Sequence, residues 1–163
     1  MYKILSKCAS MRKKIIISSL IIAIVIILDR LSKNIFLAGY EWHFTPISFY
    51  LVFNDGVAFS MLSFLQEYLK YIQIMLLIIA GILLVKEKKF LNDNYYALSF
   101  ILAGGISNIY DRFLYPGVID FIAWHYWFNF AVFNIADVCI NLGVIIIILK
   151  EIFKKRKKNG ISS

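Results

Sequence analysis

Two aspartates, Asp120 and Asp137, are the side chains in this sequence best suited to do chemistry. Asp120 sits in the apolar run Val118-Ile119-Asp120-Phe121-Ile122, and Asp137 closes Phe133-Asn134-Ile135-Ala136-Asp137 just before a long apolar segment. A carboxylate among apolar neighbours is costly to ionise and tends to mark function. If Asp120 folds back against the segment that begins at Asp137, the two carboxylates meet. A pair about 3 Å apart cannot both ionise, so it shares a proton and titrates in coupled steps. One member then acts as general base on a water while the other, protonated, polarises a carbonyl, which is a chemistry for cutting peptide bonds. Buried carboxylates also serve as proton relays and ion sites. On residue chemistry alone, a peptidase and a small carboxylate-based transporter stand as open alternatives, with an assembly protein as a third.

Other polar residues must hold or surround that pair. Asp111 and Arg112 end an apolar segment, Asn108 lies one turn earlier, and Gly104-Gly105 lets a helix or ligand approach the backbone closely. Asp29 and Lys33 are spaced i, i+4, so they meet on one helix face and are expected to form a structural ion pair. The run Ile47–Phe53 reads as strand and turns at Asn54-Asp55-Gly56, where asparagine and glycine tolerate positive φ. A small β-element there, with Phe59 after the turn, is expected to close over a site, although an ordinary hairpin explains the same residues. His43 and His125 have no H-E-x-x-H around them and are expected to be interfacial or hydrogen-bonded. Cys8 and Cys139 have no spacing that suits zinc or a structural disulfide, so no metal is expected.

The elements that carry these residues belong in a membrane. The chain has 163 residues, 61% of them hydrophobic and 17% aromatic, with a mean hydropathy of +0.74, beyond what soluble domains carry. A transmembrane helix needs about 20 mostly apolar residues. Four segments qualify as expected spans, at about 15–37, 64–85, 95–110 and 130–149, the third of them short. The expected class is therefore membrane all-α, four transmembrane helices with a small extracytoplasmic β-element forming a cradle, in a single domain over 1–163. A signal peptide is the competing reading of the first segment, but it runs into Asp29-Arg30-Leu31-Ser32-Lys33 with no small-x-small cleavage site, so retention is expected.

Charge orients the bundle. Of the 18 Lys and Arg residues, Lys3, Lys7, Arg12, Lys13 and Lys14 precede the first span. Lys86, Lys88 and Lys89 fall between the second and third, and Lys150 with Lys154–Lys158 follows the last. By the positive-inside rule both termini and the middle loop are cytoplasmic, with 40–62 and 111–128 on the outer face. Trp42, Trp124 and Trp127 fall in those outer regions, where an aromatic belt sits. The net charge of +8 then suits anionic lipid headgroups. It is no sign of nucleic acid, because the basic residues flank spans and no base-reading motif accompanies them.

Five ordered segments carry a family resemblance. Asp29-Arg30-Leu31-Ser32-Lys33 matches D-x-x-[ST]-K, Asn54-Asp55-Gly56-Val57-Ala58-Phe59 matches N-x-G-x-A-[FW], and Gly104–Arg112 matches G-G-x-x-N-x-x-D-R. Val118-Ile119-Asp120-Phe121 matches V-x-D-F and Phe133–Asp137 matches F-N-x-A-D. In these the chain resembles the lipoprotein signal peptidases (signal peptidase II, prolipoprotein signal peptidase), bacterial aspartic membrane proteases. The resemblance implies that Asp120 and Asp137 are the catalytic dyad. It implies that Asn54, Gly56, Asn108, Arg112 and Asn134 bind substrate or shape the site, and that Asp29, Lys33 and Asp111 stabilise the fold. It further implies a diacylglyceryl-modified prolipoprotein as substrate, cut just before the lipidated cysteine, and no metal or organic cofactor. The implied setting is the bacterial cytoplasmic (inner) membrane, as a monomer among membrane lipids, with the site toward the outer face. Ala131, Val138 and Tyr110 depart from the family pattern without touching a carboxylate, and Met11-Arg12-Lys13-Lys14 would itself make a typical family start.

Overall fold

The computed structural model describes residues 2–56, 63–65, 67–128 and 130–159; Phe59 lies outside them. Helix α1 (Tyr2–Leu37) leads into strands β1 (Trp42–His43) and β2 (Ile47–Asn54). Helices α2 (Tyr68–Lys86) and α3 (Lys88–Leu114), strand β3 (Val118–Trp124) and helix α4 (Ile135–Asn159) follow. The chain is thus mostly helical, with one small antiparallel sheet of order β1-β2-β3.

The distribution of side chains is inverted relative to a soluble domain. Ile15, Leu20, Ile27 and Leu31 of α1 and Leu76, Ile79 and Leu83 of α2 are exposed, whereas Asp29, Lys33, Asn108, Asp111 and Asn134 are buried. Apolar side chains facing outward suit a hydrocarbon solvent, and polar groups turned inward find partners that lipid cannot offer. Two stretches, Ser10–Leu37 and Tyr68–Lys86, are long and apolar enough to cross a membrane by length and composition. Helices α3 and α4 fall short of that measure, since α3 carries Asn94, Ser107, Asn108 and Asp111 and the apolar part of α4 is short, bounded by Asp137 in its first turn and by Lys150 and Glu151.

Several expected bounds shift. The middle connection is no loop: α2 ends at Lys86, Glu87 makes the corner, and α3 resumes at once, with a kink at Asn94 (φ −119°, ψ 15°). Lys88, Lys89 and Asp93 extend the helix in an exposed position. At the same end Lys14 of α1 donates to the Asn92 carbonyl at 3.0 Å, and Lys150 of α4 donates to that of Asp93. The basic parts of α1, α3 and α4 therefore share one end of the bundle, and the sheet lies at the other.

No hairpin forms among the described residues at Asn54-Asp55-Gly56. Strand β2 instead pairs with β1 (Trp42↔Phe49) and with the distant β3, where Val52 opposes Asp120 and Asn54 opposes Val118. The register slips between Phe49 and Val52, a bulge next to Asp120 of the kind often found beside functional sites. Gly117 is needed just before β3, because a Cβ there would lie 2.5 Å from the Asn54 carbonyl carbon and oxygen. Alternation along β3 turns Phe121 onto Phe36 of α1, ring centroids 4.3 Å apart, and leaves Asp120 facing the other way.

Helices α3 and α4 make the closest helix pair. A Cβ on Gly104 would meet the Ala136 carbonyl oxygen at 2.5 Å, so the backbones touch where α4 begins. Of the two adjacent glycines only Gly104 serves this approach; a Cβ on Gly105 would make ordinary contact with Leu77 at 3.6 Å.

Candidate active site

The start of α4 fixes Asp137. Asn134 is its N-cap: the Asn134 Oδ1 accepts the Asp137 N–H at 2.9 Å, and the Asn134 N–H donates to Asp137 Oδ2 at 3.2 Å. This reciprocal pairing is a capping box, which satisfies orphan N–H groups of the first turn and fixes the direction of the carboxylate. The remaining oxygen, Asp137 Oδ1, accepts from Asn108 Nδ2 of α3 at 2.7 Å.

Asp120 reaches the same place from β3. Its Oδ2 accepts from Asn54 Nδ2 at 2.9 Å and its Oδ1 from Asn134 Nδ2 at 2.7 Å. The Asn54 Oδ1 is taken by the Gly56 N–H at 3.1 Å, an Asx turn that leaves only the NH2 group to face Asp120. Burial pushes the Asp120 carboxyl up from the ordinary carboxylate range to about 7; the charge of Asp137 adds to the rise, and the N–H donors of Asn54 and Asn134 oppose it.

Both carboxylates open on one cavity of about 290 Å³, whose wall includes Asn54, Gly56, Asn108 and Arg112. Arg112 donates to the Gly56 carbonyl and its buried Nε has no hydrogen-bond partner among the described residues. Asn134 does not line this cavity. It is fully buried behind it and is bonded to Asp120, Asp137 and Asn108.

A second polar cluster lies beneath. Lys33 Nζ stands 2.6 Å from Asp29 Oδ2 and 2.7 Å from Asp111 Oδ2, with all three side chains fully buried. Its third donor goes to Asn108 Oδ1 at 3.1 Å, tying the cluster to the cavity wall. Asp29 Oδ1 accepts the Ala136 N–H of α4 at 2.9 Å, and Asp111 Oδ2 accepts the Ile119 N–H of β3 at 3.2 Å. One lysine thus joins four elements. A buried cation is tolerable only with its charge matched and its protons used, and Lys33 meets both conditions.

Sequence reasoning missed several partners. Ser107 donates to Asp29 Oδ2 at 2.5 Å and Arg30 pairs with Asp111; both lie inside quoted motifs, yet a contact between α1 and α3 leaves no local trace. Gln73 of α2 also lines the cavity, and it had a signal, being an amide at the head of the apolar run Ile74–Val85. The histidines have ordinary surroundings: His125 Nε2 lies 2.9 Å from Ser48 Oγ, and His43 is exposed beside Glu41.

Comparisons with known proteins agree with one another. The family model described as Signal peptidase (SPase) II matches residues 21–153. A lipoprotein signal peptidase of Campylobacter jejuni is 46% identical over 136 residues, 83% of this chain and 87% of that one. One of Helicobacter pylori is 41% identical over 135 residues, 83% and 86% of the two chains. Among solved structures, one bacterial membrane enzyme superposes with a TM-score of 0.71 at 28% identity over 86% of this chain and 90% of its own. A second gives 0.65 at 30% identity over 82% and 90%.

Proposed function

The chain belongs to the signal peptidase II family, and from that premise we propose that Asp120 and Asp137 are the catalytic pair of an aspartic endopeptidase. As a member of that family it is a bacterial membrane protease that removes signal peptides from prolipoproteins during lipoprotein maturation. The observation that carries the aspartic reading is Asn134, one residue whose side chain and backbone hold both carboxylates at the edge of a single cavity.

The two carboxylates share one proton, which in the resting enzyme resides on Asp120, raised to about 7 by burial. Asp137 takes a proton from water as the water attacks the carbonyl of the residue before the lipidated cysteine. Protonated Asp120 donates a hydrogen bond to that carbonyl oxygen as negative charge develops. Collapse of the tetrahedral intermediate returns a proton to the leaving amine. Asn108 and Asn54 hold the carboxylates in direction, Asn134 positions both, and Arg112 and Gly56 shape the cavity for the peptide backbone. Asp29, Lys33 and Asp111 stabilise the fold beneath.

All four helices cross the bacterial cytoplasmic membrane, and the whole chain acts as one peptidase domain. Basic residues gathered at one end support cytoplasmic termini and a site at the outer face. The diacylglyceryl-modified prolipoprotein enters sideways from the bilayer, its acyl chains against the apolar outside of the bundle.

The test is to incubate purified wild type, Asp120→Asn and Asp137→Asn with a prolipoprotein in lipidated and unlipidated form, and to locate cuts by mass spectrometry. Wild type cleaves immediately before the lipidated cysteine, and each variant folds in detergent without turnover. Near-normal cleavage by either variant removes that residue from the mechanism.

A further inference from the structure

Gln73 is used by nothing described so far. Helix α2 is wholly apolar from Ile74 to Val85, and Gln73 stands at the head of that run. Its Oε1 is buried and accepts no hydrogen bond among the described residues. A buried amide oxygen without a partner is destabilising, more so in an apolar setting. It is therefore an acceptor that no described residue serves.

Its position says where an N–H for it would come from. Gln73 lines the cavity that holds Asp120 and Asp137. It also lines a second cavity of about 290 Å³ between α2, α3 and α4, walled by Leu76, Leu77, Gly105 and Ile109. Asn108 and Ile140 border both, so the two cavities lie side by side, one on the apolar flank of the bundle and one at the carboxylates, with Gln73 on the wall of each. Asn141 adds a further amide to the wall from α4, one turn beyond Asp137.

A peptide bond offered to an attacking water must leave its helix. Its neighbours then lose their intrahelical hydrogen bonds, and in apolar surroundings no water replaces them. We propose that Gln73 binds the backbone of the signal peptide just upstream of the cut, its Oε1 accepting a substrate N–H, with Asn141 supplying the opposing amide. The proposal rests on the signal peptidase reading above and adds two substrate-binding side chains to it.

The experiment uses the full chain in detergent with a diacylglyceryl-modified prolipoprotein and a series in which an ester replaces one peptide N–H at each residue just before the lipidated cysteine. Gln73→Leu raises KM about tenfold with kcat changed by less than about twofold, as expected for loss of a hydrogen bond made equally in the ground and transition states. Its Tm does not fall, since no internal bond is lost. One ester raises KM for wild type by a similar factor, and Gln73→Leu no longer distinguishes that ester from the amide. Asn141→Leu weakens the same substrate without altering that ester effect. Wild type that cleaves every ester like the amide, or a Gln73→Leu enzyme that discriminates as wild type does, overturns the proposal while leaving the signal peptidase reading intact. Wild type that leaves the parent substrate whole overturns both. If Gln73→Leu lowers Tm, the ester series on wild type decides alone.

Discussion

Asn134 donates to Asp120 Oδ1 at 2.7 Å while its Oδ1 accepts the backbone N–H of Asp137 at 2.9 Å, so a single N-cap residue sets both carboxylates. The two duties separate by substitution. Serine keeps an oxygen for the cap but has no amide to reach Asp120. Asn134→Ser is expected to hold its Tm within a few degrees while its cleavage rate falls by roughly tenfold or more. Asn134→Ala loses the cap too, at a further cost of about 1 kcal/mol in thermal unfolding.

Lys33 balances Asp29 and Asp111 in a fully buried cluster. Lys33→Met leaves two buried carboxylates facing each other with Arg30 as their remaining cation. The expected loss is about 3–5 kcal/mol, the range for breaking a buried pair by removing one partner. Unfolding in detergent measures it, and a variant as stable as wild type would show that the cluster is not what joins α1 to α3 and α4.

Asp120 gives a pH dependence with a definite sign. Its carboxyl sits at about 7 in the folded protein, above its value of about 3.9 in an unfolded chain. The folded state thus binds the proton more tightly, and this group's contribution to stability is complete below about pH 4 and lost as pH rises to 7. On the proposed mechanism activity needs the shared proton and is expected to fall on the alkaline side of about 7. Profiles of kcat/KM and Tm against pH check both, and Asp120→Asn should remove its share of the Tm slope.

The adjacent glycines of α3 should behave differently. A Cβ on Gly104 meets Ala136 backbone oxygen at 2.5 Å and must push α4 away, whereas one on Gly105 meets a flexible leucine tip at 3.6 Å. Gly104→Ala is expected to destabilise by about 1–3 kcal/mol and to impair cleavage by shifting Asp137. Gly105→Ala should be close to neutral or slightly stabilising, since alanine favours helix. Paired Tm and rate measurements distinguish them.

What the sequence revealed follows the range of each interaction. The Asp29–Lys33 pair was legible because its members are one helical turn apart. Asp111 completing it was not, because that contact closes over β1, β2, α2 and most of α3. Strand β2 was legible from its aromatic and β-branched run, but its pairing with β3, which lies beyond two helices, was not. The residues from Asn134 to Asp137 were legible only as a motif; that they cap α4, and that Asp120 shares the same asparagine, depends on contacts seen in the structure. Helix α3 extends past its apolar stretch at both ends, through exposed Lys88, Lys89 and Asp93 and through buried Asp111, and mean hydropathy registers neither.

The polar groups of α1 find their counterparts late in the chain: Ser107 and Asp111 on α3, and the Ala136 N–H on α4. During synthesis α1 meets the bilayer first, with Asp29 and Lys33 matched only to each other and Arg30 to nothing. The helix cannot come to rest at its final depth until α3 arrives, and Asp29 is fully engaged only when the first turn of α4 forms. Assembly therefore finishes at α4. A chain interrupted before Ile135 would carry an unsealed charge cluster, an unfinished product that membrane quality control can recognise and remove.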